Sequence, residues 1–109
     1  MAYAYKVLGQ SAPSATTATD VYTVGSGKQA IVSTITVANR SATARTYRIA
    51  IRPSGATLAN QHYLAYDVTV GANDTTPLTL GVTLTATDVV TVYASTADLS
   101  FGIFGSEIS

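Results

Sequence analysis

The strongest constraint on the fold is a run of period-two alternation between Gln29 and Arg52. Its letters are QAIVSTITVANRSATARTYRIAIR. Successive side chains of a β-strand point to opposite faces of the sheet, so this period predicts two half-buried strands. Between them, Asn39–Thr43 is a short polar segment rich in residues that bond to their own backbone. The pattern predicts a β-hairpin whose inward faces form the centre of a core.

The same alternation continues along the rest of the chain in shorter stretches, separated by Gly, Pro, Asn and Asp. These stretches predict further strands at Ala2–Leu8, Val21–Val24, Gln61–Val70, Leu78–Leu84, Val89–Ser95 and Leu99–Phe104. No segment keeps a helical period for more than about one turn. About eight short strands with regularly spaced turns are typical of an all-β fold, a single β-sandwich of jelly-roll or immunoglobulin-like topology. The sequence leaves the choice between those two topologies open.

The predicted core is the set of apolar side chains that share the inward face of these strands. It comprises Ile31, Ile35, Val37, Tyr47, Ile49, Ile51, Leu64, Leu78, Leu80, Val90, Val92 and Phe101. Regular alternation also places His62, Leu64, Tyr66, Val68 and Val70 on one face of their strand.

The length of 109 residues is that of one domain, residues 1–109. Residues 9–20 form a polar connection of small residues without an apolar period. Two interpretations stay open for residues 1–8: a first strand of the sandwich, or an N-terminal arm that pairs with a neighbouring subunit. In the second case the main chain and the tyrosines would supply the contact. Tyr3, Tyr5 and Lys6 are therefore candidate assembly contacts.

Charged residues are scarce, at 11% of the chain, where about 25% is usual. A surface of Thr, Ser and Ala is more stable when neighbouring subunits cover it, so we expect a homo-oligomer, a trimer in preference to a dimer. Every Lys and Arg precedes Pro53, and every acidic residue except Asp20 follows it. This order indicates either complementary edges on neighbouring subunits or a fold that interleaves early and late strands.

Several classes of function are disfavoured by the composition. The chain has no Cys and one histidine, His62, so a thiolate or multi-histidine metal site cannot be built within it. A formal net charge of zero disfavours nucleic-acid binding. The sequence has neither a secretory signal nor an apolar run of about 20 residues that could span a membrane. We therefore expect a soluble protein. Gly25–Lys28 resembles part of a phosphate-binding loop, but the other residues that this motif requires are missing around it.

The polar residues form no recognisable catalytic constellation. Asp74, Asp88 and Asp98 lie in or beside predicted turns, where Asp favours the backbone conformation. We therefore expect no enzyme, no catalytic, cofactor-binding or metal-binding residues, and no cofactor. The seven tyrosines could build a sugar-binding platform, although scattered tyrosines more often serve as core edges and interface anchors.

Five phrases spread over nearly the whole chain carry a resemblance to a known family. They are YKVLGQSAPSATT (residues 5–17), SGKQAIVSTITVANR (26–40), NQHYLAYD (60–67), DVVTVYAST (88–96) and SFGIFGSEI (100–108). These phrases resemble small virion structural proteins of tailed bacteriophages, especially those of cyanobacterial and other aquatic hosts. The resemblance includes no catalytic motif and transfers no site residue.

The resemblance implies a particle component of β-sandwich type, localised in the virion and assembled in the host cytoplasm. We expect a multimeric capsid cement or decoration protein that contacts itself and other virion proteins, such as the major capsid protein. A tail, baseplate or fibre component, which would contact tail proteins, is the alternative. A host-sugar-binding adhesin module is a further one.

Overall fold

The computed structural model describes residues 2–109, which form eight β-strands. The strands are β1 (Tyr3–Ser11), β2 (Thr19–Thr23), β3 (Gln29–Asn39), β4 (Arg45–Arg52), β5 (Tyr63–Val70), β6 (Thr75–Thr85), β7 (Val89–Ala94) and β8 (Leu99–Ile108). Two short 3-10 segments, Pro53–Gly55 and Asn60–His62, lie between β4 and β5. Within the described residues, no helix is long and apolar enough to cross a membrane.

The strands form two four-stranded antiparallel sheets. The first sheet has the order β1-β8-β3-β6, and the second sheet has the order β2-β7-β4-β5. The pairs β1–β8, β2–β7, β3–β6 and β4–β5 are nested one inside the next along the chain. Nested antiparallel pairs rolled into two sheets are the topology of a jelly roll. The prediction of an all-β, single sandwich of about eight strands is confirmed.

The predicted hairpin within Gln29–Arg52 is wrong. Both arms are strands, but β3 lies in the first sheet between β6 and β8, whereas β4 lies in the second sheet between β5 and β7. Residues 40–44 therefore cross from one sheet to the other. A hairpin and an inter-sheet arch share the same local signal, because each places a polar turn between two alternating arms.

The crossing is held by the buried side chain of Asn39. Its amide nitrogen lies 2.9 Å from the carbonyl oxygen of Thr43, 3.3 Å from that of Val70 and 3.1 Å from that of Gly71. Its amide oxygen accepts hydrogen bonds from the backbone N–H and the hydroxyl of Ser41. Both ends of the amide are thus satisfied away from water, as a buried polar group requires.

The core lies between the two sheets. Tyr47 of β4 meets Phe101 of β8 edge to face, with 6.3 Å between the ring centroids. Of the predicted core residues, those that are buried are Ile35, Val37, Tyr47, Ile49, Val90, Val92 and Phe101. Ile51, Leu78 and Leu80 are partly buried against them. Burial of alternate side chains on strands of both sheets is what period-two patterning produces.

The expectation that Ile31 belongs to the core is wrong. Against β8, the register of β3 shifts between Val32 and Thr34: β3 advances by two residues while β8 advances only from Gly105 to Phe104, so Ser33 is an extra residue in the strand. Such a bulge reverses the side-chain parity on either side of it. Val32 consequently faces the core, and Ile31 points outward with 39% of its surface exposed.

Leu64 is also exposed rather than in the core. Ile49 pairs with Ala65, and the next residue of β4, Ala50, pairs with Tyr63. Between these two pairs β4 moves by one residue and β5 by two. Leu64 is therefore the extra residue of a second bulge, and Ala65 packs against the core instead. The regular alternation predicted for this strand fails because a bulge leaves no simple mark on the sequence.

The N-terminal segment is strand β1, at the edge of the first sheet. It pairs antiparallel with β8 of the same chain from Tyr3 to Ser11. Residues 3–8 thus pair within their own chain in this structure, and Met1 lies outside the described residues. The strand also extends into the predicted polar connection, which leaves residues 12–18 as the link to β2.

Two isoleucines provide a matched test of the core. Ile49 is fully buried and Ile31 points outward. We expect Ile49→Ala to lower the free energy of unfolding by about 2–5 kcal/mol, because it leaves a cavity. The control Ile31→Ala should cost less than about 1 kcal/mol. Denaturant titration of both variants measures the difference, and equal losses would contradict this placement of the core.

Candidate functional site

The outer face of the first sheet carries an apolar patch around the N-terminal strand. The cross-strand register places Tyr5 beside Ser106 and Ile31 in one row, and Val7 beside Phe104 in the next. Tyr5 is 88% exposed. We call this surface the outer patch; its members are Tyr3, Tyr5, Val7, Ile31 and Phe104. Large apolar side chains gathered on one exposed face typically mark a surface that contacts another molecule.

Lys6 does not belong to the outer patch. Its Nζ lies 3.5 Å from Glu107 Oε1, and Lys28 Nζ lies 3.3 Å from the same atom. The hydroxyl of Tyr22, on the second sheet, donates to the other carboxylate oxygen of Glu107 at 2.8 Å. These bonds tie the two sheets together at one end of the sandwich. Of the candidate contacts, Tyr3 and Tyr5 lie on the same face of β1, whereas the Lys6 ammonium is paired with Glu107.

The carboxyl of Glu107 is stabilised in its charged form. The Tyr22 hydroxyl is the main cause that lowers the pKa of Glu107, and the two lysines add to it. Burial and the same hydrogen bond raise the pKa of Tyr22. A carboxylate that accepts a hydrogen bond and faces two cations favours ionisation despite partial burial. Glu107 is therefore a charged carboxylate that links Tyr22 of the second sheet to the first.

Several charges from the two halves of the chain pair with each other within one subunit. Arg45 pairs with Asp98, and Lys6 and Lys28 both pair with Glu107. Arg40 donates to Ser100 and to a backbone oxygen. Nested strand pairing brings early and late residues side by side, so opposite charges from the two halves of the chain become neighbours. These pairs fit a fold that interleaves early and late strands; complementary edges on neighbouring subunits stay a prediction.

The outer face of the second sheet carries a different arrangement, centred on Arg48 of β4. Its guanidinium carbon lies 4.1 Å from the ring centroid of Tyr66 and 4.2 Å from that of Tyr93. Asp67 holds the same guanidinium through both carboxylate oxygens, at 2.7 and 3.3 Å. This ion pair raises the pKa of Arg48. Two stacked rings and a bidentate carboxylate fix the side chain in one position.

A bulge in β5 builds this cluster. Tyr47 pairs with Val68 and Ile49 with Ala65, so two residues of β5, at positions 66 and 67, lie opposite the single residue 48. Asp67 has a positive φ of 52°, a conformation that Asp tolerates better than most residues. The bulge is what allows an aromatic ring and a carboxylate from adjacent positions to reach one arginine.

A shallow pocket of about 240 Å³ lies beside the arginine cluster. Ala50 and Leu58 give it an apolar lining, and the walls include Tyr63, Thr91 and Tyr93. Tyr63 stands at right angles to Tyr66, with 4.9 Å between the ring centroids. The pocket therefore joins aromatic surface, aliphatic surface and fixed polar groups within a few residues.

The other polar residues singled out in the sequence have structural roles. His62 is buried, and its Nδ1 accepts a hydrogen bond from the backbone of Ala59. Asp88 accepts from the backbone of Ser54 and Thr85, which confirms its expected role in a turn. Asp74 accepts from the N–H of the residue that follows it. Among the described residues, no group of three or more His, Cys, Asp or Glu side chains is placed to hold a metal ion.

Sequence reasoning did not identify the arginine cluster. Regular alternation placed Tyr66 and Asp67 on opposite faces of their strand, and only the bulge brings both to Arg48. Tyr93 comes from β7, far along the chain. The only local signal was a pair of arginines, Arg48 and Arg52, on the same outward face of β4.

Comparison with known proteins identifies no relative. No protein-family model matches the sequence. Comparisons with curated proteins and with solved structures find no significant similarity.

The Glu107 network predicts a dependence of stability on pH. In the folded protein the pKa of Glu107 lies below its ordinary value, which is near 4.3 in an unfolded chain. The stabilisation that ionised Glu107 contributes to the folded protein is fully present at pH values above the pKa of the unfolded chain. It is lost as the pH falls through the lower pKa of the folded protein. We expect Glu107→Gln to lower the free energy of unfolding at neutral pH. The gap between the free energies of unfolding of parent and variant should narrow in acid. Denaturant titrations at a series of pH values measure this gap, and a gap independent of pH would contradict the assignment.

Proposed function

We propose that this chain is a non-enzymatic structural protein of a bacteriophage virion, and specifically a multimeric cement or decoration protein of the capsid. The resemblance of its phrases to small virion proteins supports the proposal. The jelly-roll topology is compatible with it, since viral capsid domains use this architecture. Fold alone does not determine function, so the argument rests on a surface.

The observation that carries the proposal is the outer patch. Tyr3 is 63% exposed and Val7 48% exposed on the edge strand, with Ile31 and Phe104 behind them on the same face. Burying apolar side chains such as these stabilises a complex by about 25 cal/mol per Å². Exposed tyrosines are efficient anchors, because they bury a large ring and lose little side-chain entropy. A surface of this kind suits attachment to a protein neighbour.

The occupants that we propose for the outer patch are a second copy of the chain and the major capsid protein. Strand β1 is at the edge of the first sheet, so its outer backbone groups lie next to the patch. An edge strand can add a strand from a neighbour while the adjacent side chains supply specificity. We expect a homo-oligomer, with a trimer as first choice and a dimer as second, because a surface with so few charges is more stable when neighbouring subunits cover it.

A serine substitution tests the patch. Tyr5→Ser should weaken self-association by at least about tenfold, as loss of a buried aromatic anchor commonly does. The matched control is Leu64→Ser, which removes an apolar side chain that is 51% exposed on the second sheet. Light scattering over a concentration series reports the assembly state of both variants and the parent. A strictly monomeric parent, or equal effects of both variants, would contradict the proposed surface.

The position on the particle is tested by stoichiometry. Purified particles of the phage that encodes the chain are analysed by quantitative mass spectrometry, with the major capsid protein as the reference. A cement protein is expected at a copy number comparable to that of the capsid protein, because it follows the capsid symmetry. A few copies per particle would instead favour the alternative, a tail, baseplate or fibre component. Absence from purified particles would overturn the virion assignment altogether.

A further inference from the structure

The pocket beside Arg48 has a composition that the assembly role does not require. Its apolar lining includes Ala50, which is almost fully buried although it lies on the outward side of β4. Tyr63 and Tyr93 add aromatic surface to it. It lies on the outer face of the second sheet, whereas the outer patch lies on the first. The two surfaces can therefore act independently.

The charges around the pocket are balanced. Arg48 is neutralised by Asp67 on one side of Ala50, and Arg52 by Asp20 on the other. Thr91, in the wall, donates to Asp20 and accepts from Arg52. Each arginine is thus held in place by its own carboxylate. An anionic ligand would have to compete with those carboxylates, so the site favours an uncharged one.

Polar groups remain available for such a ligand. A guanidinium has five N–H donors, and the carboxylate of Asp67 uses two of those of Arg48. Tyr63 and Tyr93 each combine an apolar ring with a hydroxyl that can donate or accept. The pocket therefore offers fixed donors and acceptors around an apolar wall, and its volume of about 240 Å³ suits a ligand the size of one ring.

We propose that this pocket binds one ring of a neutral carbohydrate. A pyranose has an apolar face of C–H groups, which stacks on an aromatic ring, and an equator of hydroxyls, which both donate and accept hydrogen bonds. The first property matches the tyrosine and aliphatic walls, and the second matches the restrained arginine and the hydroxyl-bearing side chains of the lining, Tyr63, Thr91 and Tyr93. A purely apolar peptide side chain would leave the polar wall without partners, which is unfavourable once water is excluded.

Titration with sugars tests the proposal. The full chain, labelled with ¹⁵N, is titrated with glucose, galactose, mannose and N-acetylglucosamine and with their short neutral oligosaccharides. At least one of them should shift backbone amide signals at residues 48–50, 58, 63 and 91–93. The signals of the outer patch should stay unchanged. N-acetylneuraminic acid is the anionic comparison and should bind more weakly than the best neutral sugar.

Two pairs of variants separate the contact from the fold. Tyr63→Ala removes an aromatic wall and should weaken binding by at least about tenfold, whereas Tyr63→Phe keeps the ring and should bind more tightly than Tyr63→Ala. Ala18→Phe places a ring at the exposed rim of the pocket and should block binding. Its control, Ala15→Phe, adds the same ring to an exposed residue of the same connection, outside the pocket, and should leave binding unchanged.

The outcomes that would overturn the inference are distinct from those for the virion role. Failure of every sugar to shift the pocket signals, or equal binding by Ala18→Phe and Ala15→Phe, would exclude a carbohydrate site here. Shifts caused only by the anionic sugar would contradict a neutral site. Pocket signals that respond only to apolar peptides would assign the pocket to a protein partner instead. Each variant is first checked for parental melting, and the oligomeric state and particle stoichiometry are measured separately.

Discussion

The arrangement of the whole sandwich depends on the buried amide of Asn39. This side chain joins the connection after β3 to the turn after β5, through the carbonyl oxygens of Thr43, Val70 and Gly71. Both of those segments carry the chain from one sheet to the other. Once β3 and β4 are placed in opposite sheets, their apolar faces meet across the interior, and Ile35 and Ile49 become core residues together. A hairpin would have left those faces side by side in one sheet.

Charge is used sparingly and mostly to hold strands in place. Glu107 links the first sheet to Tyr22 of the second, and Arg45 is paired with Asp98. Ion pairs that face solvent, such as that of Arg52 with Asp20, add little stability individually, typically less than about 1 kcal/mol. Their effect here is to occupy the basic side chains within the subunit. The two outer faces are then left with different characters: an apolar patch on the first sheet, and a balanced arginine cluster with a pocket on the second.

Bulges account for both of those surfaces. The bulge at Ser33 turns Ile31 outward, and Ile31 completes the outer patch behind Tyr5. The bulge of β5 at positions 66 and 67 creates the arginine cluster beside the pocket. Each bulge leaves one residue without a regular partner. In this protein the irregular positions of the strands lie next to the surfaces to which we assign function.

The sequence by itself determined the class of fold and part of the core. Alternation along one strand is a local property, so Ile35, Val37, Tyr47 and Ile49 could be assigned to the interior before any partner strand was known. Tyr3 and Tyr5 could be named as candidate assembly contacts because they are the aromatic residues of the N-terminal segment. Strand pairing, in contrast, is a relation between distant segments. Only the tertiary structure decided that β3 and β4 lie in different sheets and that β1 pairs with β8. The same holds for the bulges and for the cluster of Arg48 with Tyr93, because register depends on the neighbouring strand and not on the residues of one strand alone.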